Sequence, residues 1–85
     1  MKQFDYVIKD AVGIHARPAG LLVKEAKNFT SKITVAKGEK QADATRLIAL
    51  MGLGVKCGDK ITVTCEGSDE DAACAAMSAF LNKNL

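Results

Sequence analysis

The sequence predicts an α+β domain in which helices cover one face of a mostly antiparallel sheet. Two observations lead to this prediction. Stretches of strand-like and helix-like hydrophobic spacing alternate along the chain, and glycine-containing or polar segments separate them. The predicted order of elements is β-α-β-β-α-β-α. We expect residues 1–85 to form a single domain, because 85 residues can bury only one modest core.

The first half of the chain is predicted to form a strand, a helix and a hairpin. Phe4, Tyr6 and Ile8 alternate with polar residues, as in a half-buried strand. A helix is predicted from Ala16 to about Phe29, because the apolar residues there share one helical face. The stretch "SKITVAK" indicates a second strand, and the tight turn "KGEK" leads into a short returning strand, "KQAD". The predicted buried face of the helix comprises Ala19, Leu22, Val23, Ala26 and Phe29.

The second half of the chain is predicted to form a short helix, a strand and a longer helix. The short helix runs from about Thr45 to Leu53, and Gly52 and Gly54 end it. The stretch "DKITVTCE" is the clearest strand, because Ile, Val and Cys alternate there with Thr. Ser68 and Asp71 are predicted to form a capping box at the start of the last helix. The predicted buried face of that helix comprises Ala72, Ala73, Ala76, Met77 and Phe80.

The composition argues against several classes of function. A net charge of +2 and an aromatic content of 5% disfavour nucleic-acid binding. No apolar run approaches the ~20 residues of a membrane span, and the first residues lack the apolar block of a signal peptide. We therefore expect a cytoplasmic protein without membrane insertion. Cys57, Cys65 and Cys74 have no metal-binding spacing, so we expect reduced thiols, no structural zinc and no disulfide framework.

The stretch "GIHARPAG", residues 13–20, contains the only histidine and the only proline of the chain. Pro18 has no backbone N–H and is favoured in the first turn of a helix, which places His15 near the helix N-cap. The unpaired amides of Ala16 and Arg17 would then face the space beside the imidazole, and Arg17 adds a permanent positive charge. The motif therefore predicts an imidazole beside a site for a phosphate-sized anion.

A neutral imidazole in such a site can accept a phosphoryl group on one ring nitrogen. The helix dipole and Arg17 disfavour the imidazolium form, so more of the His15 ring stays neutral and nucleophilic near neutral pH. From the residues alone a simpler interpretation stays open, because a histidine near a helix start is often a cap or an exposed residue. No metal site is predicted, since there is no second histidine. Ser-His-Asp hydrolysis is disfavoured, since no serine lies in a nucleophile motif.

Four segments resemble the HPr family, the histidine-containing phosphocarriers of the bacterial phosphoenolpyruvate:sugar phosphotransferase system. They are "GIHARPA", "LMGLGV", "DKITVTCEG" and "SDEDAA", and the resemblance extends over essentially the whole chain. It implies an HPr-like open-faced β-sandwich with four antiparallel strands and three helices. It also implies that enzyme I phosphorylates His15 on Nδ1, that Arg17 neutralises the phosphoryl group, and that the IIA domain of a sugar-specific enzyme II receives it. The chain would then be a monomeric phosphoryl-transfer intermediate without a cofactor, rather than a stand-alone catalyst.

The resemblance further implies a docking surface for these partner proteins around the first two helices. The matching residues are Leu21, Leu47, Ile48 and Met51. Leu21 falls outside the predicted buried face of the first helix, so we expect it to be exposed. For the three residues of the second helix, docking and core packing are equal alternatives, since Leu50 and Leu53 can satisfy the core alone.

The sequence departs from the family at the start of the second helix. Many family members carry a regulatory serine there, which HPr kinase phosphorylates, but the matching residue here is Arg46. Arginine cannot accept a phosphate, and Thr45, one residue earlier, is a weak candidate for a substitute. Gly20 and Gly52 also replace bulkier or hydroxyl-bearing residues. The alternative function is a regulatory HPr-like binding module that acts on transcription factors or metabolic enzymes.

Overall fold

The computed structural model of the protein describes residues 1–11, 13–14 and 16–85. Within these residues the predicted order of elements, β-α-β-β-α-β-α, is confirmed. The strands are β1 (Lys2–Val7), β2 (Lys32–Lys37), β3 (Lys40–Asp43) and β4 (Lys60–Glu66). The helices are α1 (Ala16–Ala26), α2 (Leu47–Gly52) and α3 (Glu70–Asn84).

The four strands form one antiparallel sheet in the order β1-β4-β2-β3. Val63, in the middle of β4, lies opposite Phe4 of β1 on one side and Val35 of β2 on the other. Because side chains alternate along a strand, Ile61, Val63 and Cys65 are buried, and the threonines between them are half-buried on the other face. Helix α3 packs against β1 and β4, and α1 packs against α2 and α3. The predicted fold class is therefore confirmed.

Helix α1 buries the predicted face but is shorter than predicted. Its buried residues include Ala19, Leu22 and Ala26, and Val23 and Phe29 are half-buried against the core. The helix ends at Ala26 rather than near Phe29, because the N–H of Phe29 bonds to a carbonyl three residues back instead of four. The chain therefore leaves the helix through a tighter turn that leads towards β2.

Helix α2 begins two residues later than predicted. The carboxylate of Asp43 accepts hydrogen bonds from the backbone N–H of Thr45, at 2.9 Å, and from its hydroxyl, at 2.6 Å. These bonds form a local turn that replaces the first predicted helical residues, so the helix starts at Leu47 and ends at Gly52.

Helix α3 starts differently from the prediction, and the capping box of Ser68 and Asp71 is wrong. The N-cap residue is Asp69. Its carboxylate accepts hydrogen bonds from the backbone N–H groups of Thr30 and Ser31, both at 2.9 Å, and from the Ser31 hydroxyl. The Ser68 hydroxyl lies 3.2 Å from that of Thr30. These side chains tie the start of α3 to the segment before β2 instead of capping the helix locally.

The buried face of α3 also differs from the predicted one. Ala73, Met77 and Leu81 are buried, whereas Ala72 is exposed and Ala76 and Phe80 are half-buried. The three buried residues lie four apart, so they form one stripe along the helix. The predicted burial of Ala73 and Met77 is therefore confirmed, and Leu81 completes the buried face.

Candidate functional site

Helix α1 begins at Ala16, directly after the predicted acceptor. His15, for which the imidazole predictions were made, lies outside the described residues, as does Val12. Pro18 is buried in the first turn of α1 and Arg17 is exposed, as expected for a helix that starts at this point. The first turn contains no acidic residue. The positive end of the α1 dipole is therefore not neutralised by a carboxylate of its own first turn.

Backbone contacts with the segment after α2 hold Gly13 and Ile14, the two residues before His15, in place. Gly13 has a φ of +83°, a conformation that favours glycine. A Cβ added to Gly13 would lie 2.3 Å from the carbonyl oxygen of Val55 and 2.6 Å from Cα of Lys56. The N–H of Ile14 donates to the same Val55 carbonyl at 3.1 Å. Only glycine fits this contact, and the two residues before His15 therefore rest directly on the segment that follows α2.

The end of the chain supports the same loop. The N–H groups of Lys9 and Asp10 both donate to the carbonyl oxygen of the buried Leu85, at 2.6 and 2.8 Å. The N–H of Gly13 then donates to the carbonyl of Asp10 at 3.1 Å, and lies 3.3 Å from its carboxylate. The sequence reasoning did not select Asp10 or Leu85. No local signal could have found them, because their contacts join distant parts of the chain.

A shallow cleft of about 340 Å³ adjoins the start of α1. Its lining residues are Asp10, Arg17, Pro18, Leu21 and Asn84. The Arg17 side chain thus borders open space next to the start of α1. Among the described residues, no group of three or more His, Cys, Asp or Glu side chains could hold a metal ion.

The predicted docking residues are all exposed. Ile48 is 80% exposed, and Leu21, Met51 and Leu47 are 46%, 40% and 37% exposed. Six large apolar side chains are exposed in the part of the chain that the structure describes, and these four lie on the adjacent helices α1 and α2. Leu50 and Leu53 supply the buried side of α2. The expected exposure of Leu21 is confirmed. The alternative, that Leu47, Ile48 and Met51 pack in the core, is wrong.

Arg46 occupies the N-cap position of α2. Its backbone is extended, with φ −118° and ψ 107°, and its side chain makes no capping hydrogen bond. The adjacent Thr45 hydroxyl is already bonded to the Asp43 carboxylate, and this bond is the main reason that the pKa of Asp43 lies below its usual value. A Cβ added to Gly20 or Gly52 would meet no atom within 4 Å. These two glycines therefore leave open space on the surface of α1 and α2.

The three cysteines differ in their exposure to solvent. Cys57 is exposed, Cys74 is half-buried and Cys65 is buried, and all three are free thiols. Burial in β4 is the main reason that the pKa of Cys65 is raised to about 11. No helix within residues 1–11, 13–14 and 16–85 is long and apolar enough to span a membrane.

Comparison with known proteins gives consistent matches along the whole chain. A family model described as "PTS HPr component phosphorylation site" matches residues 2–83. The phosphocarrier protein HPr of Mycoplasma genitalium is 47% identical over 85 residues, which cover 99% of this chain and 97% of that protein. A solved mycoplasma histidine-containing phosphocarrier protein has a TM-score of 0.93 at 38% identity, and the match covers 96% of this chain and 93% of that chain.

Another similar solved structure is that of a catabolite repression protein. The structure of Crh from Bacillus subtilis, described as an intertwined dimer with a swapped domain, has a TM-score of 0.79. It is 33% identical, and the match covers 100% of this chain and 98% of that chain.

The fold, the helix start at residue 16 and these matches define a class of small phosphocarrier-like α+β domains. Within this class the chain belongs to the HPr family of the phosphotransferase system.

Proposed function

We propose that this protein is a phosphocarrier in which His15 accepts a phosphoryl group from phosphorylated enzyme I and passes it to the IIA domain of a sugar-specific enzyme II. One observation carries the proposal: the family match spans residues 2–83, and the chain retains His15 and Arg17 at the start of α1. The proposal places the protein in the cytoplasm together with these enzymes.

The proposed transfer moves one phosphoryl group from phosphorylated enzyme I to the His15 ring. The Nδ1 lone pair of His15 attacks phosphorus, the bond between phosphorus and the donor atom of enzyme I breaks, and the donor atom takes that electron pair. The His15 ring releases its N–H proton and the donor group gains one, so the exchange balances without a cofactor. The first amides of α1 and the guanidinium of Arg17 stabilise the phosphoryl charge on His15.

In the same proposal, Leu21, Leu47, Ile48 and Met51 form the docking surface for both partner proteins. Their exposure on two adjacent helices supports this role. Burial of exposed apolar side chains is the usual source of affinity at the centre of an interface. A shared surface also explains how one carrier could serve a donor and an acceptor in turn.

The direct test is phosphorylation in a defined mixture. The protein is incubated with phosphoenolpyruvate, magnesium and enzyme I, and its intact mass is measured. We expect a gain of one phosphoryl group that is labile in acid and stable in base, as phosphohistidine is. His15→Ala should abolish the gain and leave the circular-dichroism spectrum unchanged. Full labelling of His15→Ala would exclude His15 as the acceptor.

The similarity to Crh favours a second candidate function, a regulatory binding module. The presence of His15 and Arg17 favours the carrier, because regulatory relatives often lack the histidine. The two candidates differ in one observable result. A regulatory module would bind its partner proteins without gaining a phosphoryl group from enzyme I.

We also propose that the protein works as a monomer. The segment after β1 is fastened in place: Ile8 exchanges backbone hydrogen bonds with Asp59 and Gly58, at 2.9 and 2.8 Å. Exchange of β1 between two copies would have to break these bonds together with those of the next residues to Leu85. Light scattering after size-exclusion chromatography should give the mass of one chain.

A further inference from the structure

Lys37, at the end of β2, contacts a loop that is remote in sequence. Its Nζ donates to the carbonyl oxygen of Gly54 at 2.9 Å and lies 3.0 Å from the carboxylate of Asp59. The two side chains of this ion pair are 33% and 32% exposed, so both are partly shielded from solvent. One ammonium group therefore joins both ends of the loop from Gly54 to Asp59.

Asp59 closes the same loop from its own side. Its carboxylate accepts the N–H of Lys56 at 2.8 Å, and its N–H donates to the carbonyl of Lys56 at 3.0 Å. The hydrogen bond from Lys56, followed by that from Lys37, keeps the pKa of Asp59 below its usual value. The carboxylate thus stays charged at neutral pH and holds Lys37 and Lys56 together.

The residues Gly13 and Ile14, which precede His15, are called the acceptor loop here. They rest on the segment Gly54–Asp59 that these contacts fix. The carbonyl of Val55 receives the N–H of Ile14, and the Gly13 backbone approaches Val55 and Lys56 so closely that no Cβ fits. Any shift of Val55 must therefore move Gly13 and Ile14. Ile14 is bonded covalently to His15, so the shift would pass to the acceptor residue.

We propose that Lys37 and Asp59 are positioning residues for phosphoryl transfer, which fix the acceptor loop through the segment Gly54–Asp59. The assignment rests on the phosphocarrier function proposed above. Neither side chain touches the reacting atoms. They hold the surface on which Gly13 and Ile14 lie, and transfer at phosphorus depends steeply on the position of the attacking atom.

The experiment compares Lys37→Met with two controls. Lys37→Arg keeps a cation of similar reach. Lys2→Met removes the ion pair of Lys2 with Asp71, which has an N–O distance of 3.3 Å and contacts no part of the acceptor loop. Three quantities are measured for each variant: the hydrogen-exchange rate of the Ile14 amide, and kcat and KM for phosphorylation by enzyme I.

We expect Lys37→Met to raise the Ile14 exchange rate by about tenfold, because the loop opens locally more often. We expect kcat to fall by about threefold or more, with KM within about twofold of the wild-type value, because the docking residues are unchanged. Lys37→Arg should restore both quantities. Asp59→Asn should lower kcat as well, and the double variant with Lys37→Met should lose little more than either single variant.

An unchanged Ile14 exchange rate in Lys37→Met would overturn the proposal. Equal losses of kcat in Lys37→Met and Lys2→Met would also overturn it, because any ion pair would then have the same effect. If enzyme I does not phosphorylate the wild type, the proposed function fails. The Ile14 exchange rates then decide by themselves whether Lys37 holds the loop.

Discussion

The N-termini of α1 and α3 have the same backbone dipole but different surroundings. At α3, Asp69 is the N-cap residue, Glu70 and Asp71 lie in the first turn, and Glu70 also pairs with the terminal ammonium of Met1 at 2.7 Å. At α1, the first turn has no acidic residue, and it contains the exposed Arg17. Carboxylates of its own first turn compensate the positive end of the α3 dipole, whereas the first turn of α1 supplies no carboxylate.

The N-terminus of α3 stabilises the fold, whereas the proposed function uses the N-terminus of α1 to bind a phosphoryl group. At α3 the Asp69 carboxylate bonds to Thr30 and Ser31, so the charge fastens the helix to the segment before β2. The hydroxyl and amide donors hold the pKa of Asp69 down at about 2. At α1 a built-in carboxylate would compete with a phosphoryl group for the same amides. A site that must bind and release an anion therefore leaves this position without an acidic residue.

The largest effect is expected when α1 is made to resemble α3. Arg17→Glu places a carboxylate in the first turn, and we expect phosphorylation by enzyme I to slow by about a hundredfold or more. Arg17→Ala removes only the cation and should slow transfer by about tenfold. Rates are measured by quenched-flow labelling with phosphoenolpyruvate. Arg46→Ala, which removes the other arginine of the chain, serves as the control. Wild-type rates in Arg17→Ala would contradict the proposed role of the guanidinium.

The next effect concerns the stabilising terminus. Asp69→Asn keeps the shape of the side chain but removes its charge, so we expect the melting temperature to fall by several degrees. Asp71→Asn is the matched control, because Asp71 shares the first turn but its carboxylate is 81% exposed and pairs with Lys2 rather than with Thr30 or Ser31. Equal melting temperatures for the two variants would show that the bonds of Asp69 to Thr30 and Ser31 add nothing beyond the dipole.

The same carboxylate predicts a pH dependence of stability. The pKa of Asp69 is about 2 in the folded protein, below the value of about 3.9 for an unfolded chain. Its contribution to the free energy of unfolding is therefore complete above about pH 4 and is lost as the pH falls from there towards 2. Urea unfolding between these pH values should show a steeper loss of stability in the wild type than in Asp69→Asn. Parallel curves for the two proteins would contradict the assignment.

A smaller effect is expected at the proposed docking surface. Ile48→Asp places a charge on the most exposed of the α2 residues, so KM for enzyme I should rise by about fivefold to tenfold, with kcat changed by less than about twofold. Val7→Asp is the control, because Val7 is 49% exposed on β1 and is not one of the proposed docking residues. An unchanged KM in Ile48→Asp, or the same rise in Val7→Asp, would argue against docking through α2.

The parts that could be predicted from the sequence are those that depend on local pattern. The strand of Ile61, Val63 and Cys65 follows from periodicity, and the start of α1 at Ala16 follows from the missing N–H of Pro18 in its first turn. The start of α3 could not be predicted in the same way. Asp69 is the N-cap residue of that helix, but its carboxylate accepts the N–H of Ser31, a residue 38 positions away, and no local pattern indicates such a bond. Contacts between distant segments depend on the final packing of the sheet and helices.

The support of the acceptor loop shows the same limit. Gly13 is visible in the sequence, but the sequence does not show why glycine is needed there. The carbonyl of Val55, 42 residues further along the chain, lies too close for a Cβ, and this contact is evident only in three dimensions. Lys37 and Asp59 resemble ordinary surface charges in the sequence. Their role in the structure comes from their common contact with the segment that holds Gly13 in place.

The smallest effect is expected at the N-terminus of α2, where the N-cap residue is not acidic and the first turn contains no acidic residue. Arg46 is the N-cap residue without a capping bond, and its positive charge lies at the positive end of the helix dipole. Arg46→Ser supplies a hydroxyl that can accept an N–H of the first turn, so it should stabilise the protein by about 0.5–1 kcal/mol in urea unfolding.

We also expect HPr kinase with ATP to add no phosphate to the wild type and to phosphorylate Arg46→Ser, provided that Leu47 and Ile48 still contact the kinase. Thr45 should stay unmodified in both proteins, because its hydroxyl donates to Asp43 and a phosphate there would face that carboxylate. Peptide mass spectrometry locates any label. Stoichiometric phosphate on Thr45 or on a serine of the wild type would show that the regulatory acceptor has moved along the chain, and the regulatory module would then become the better-supported function.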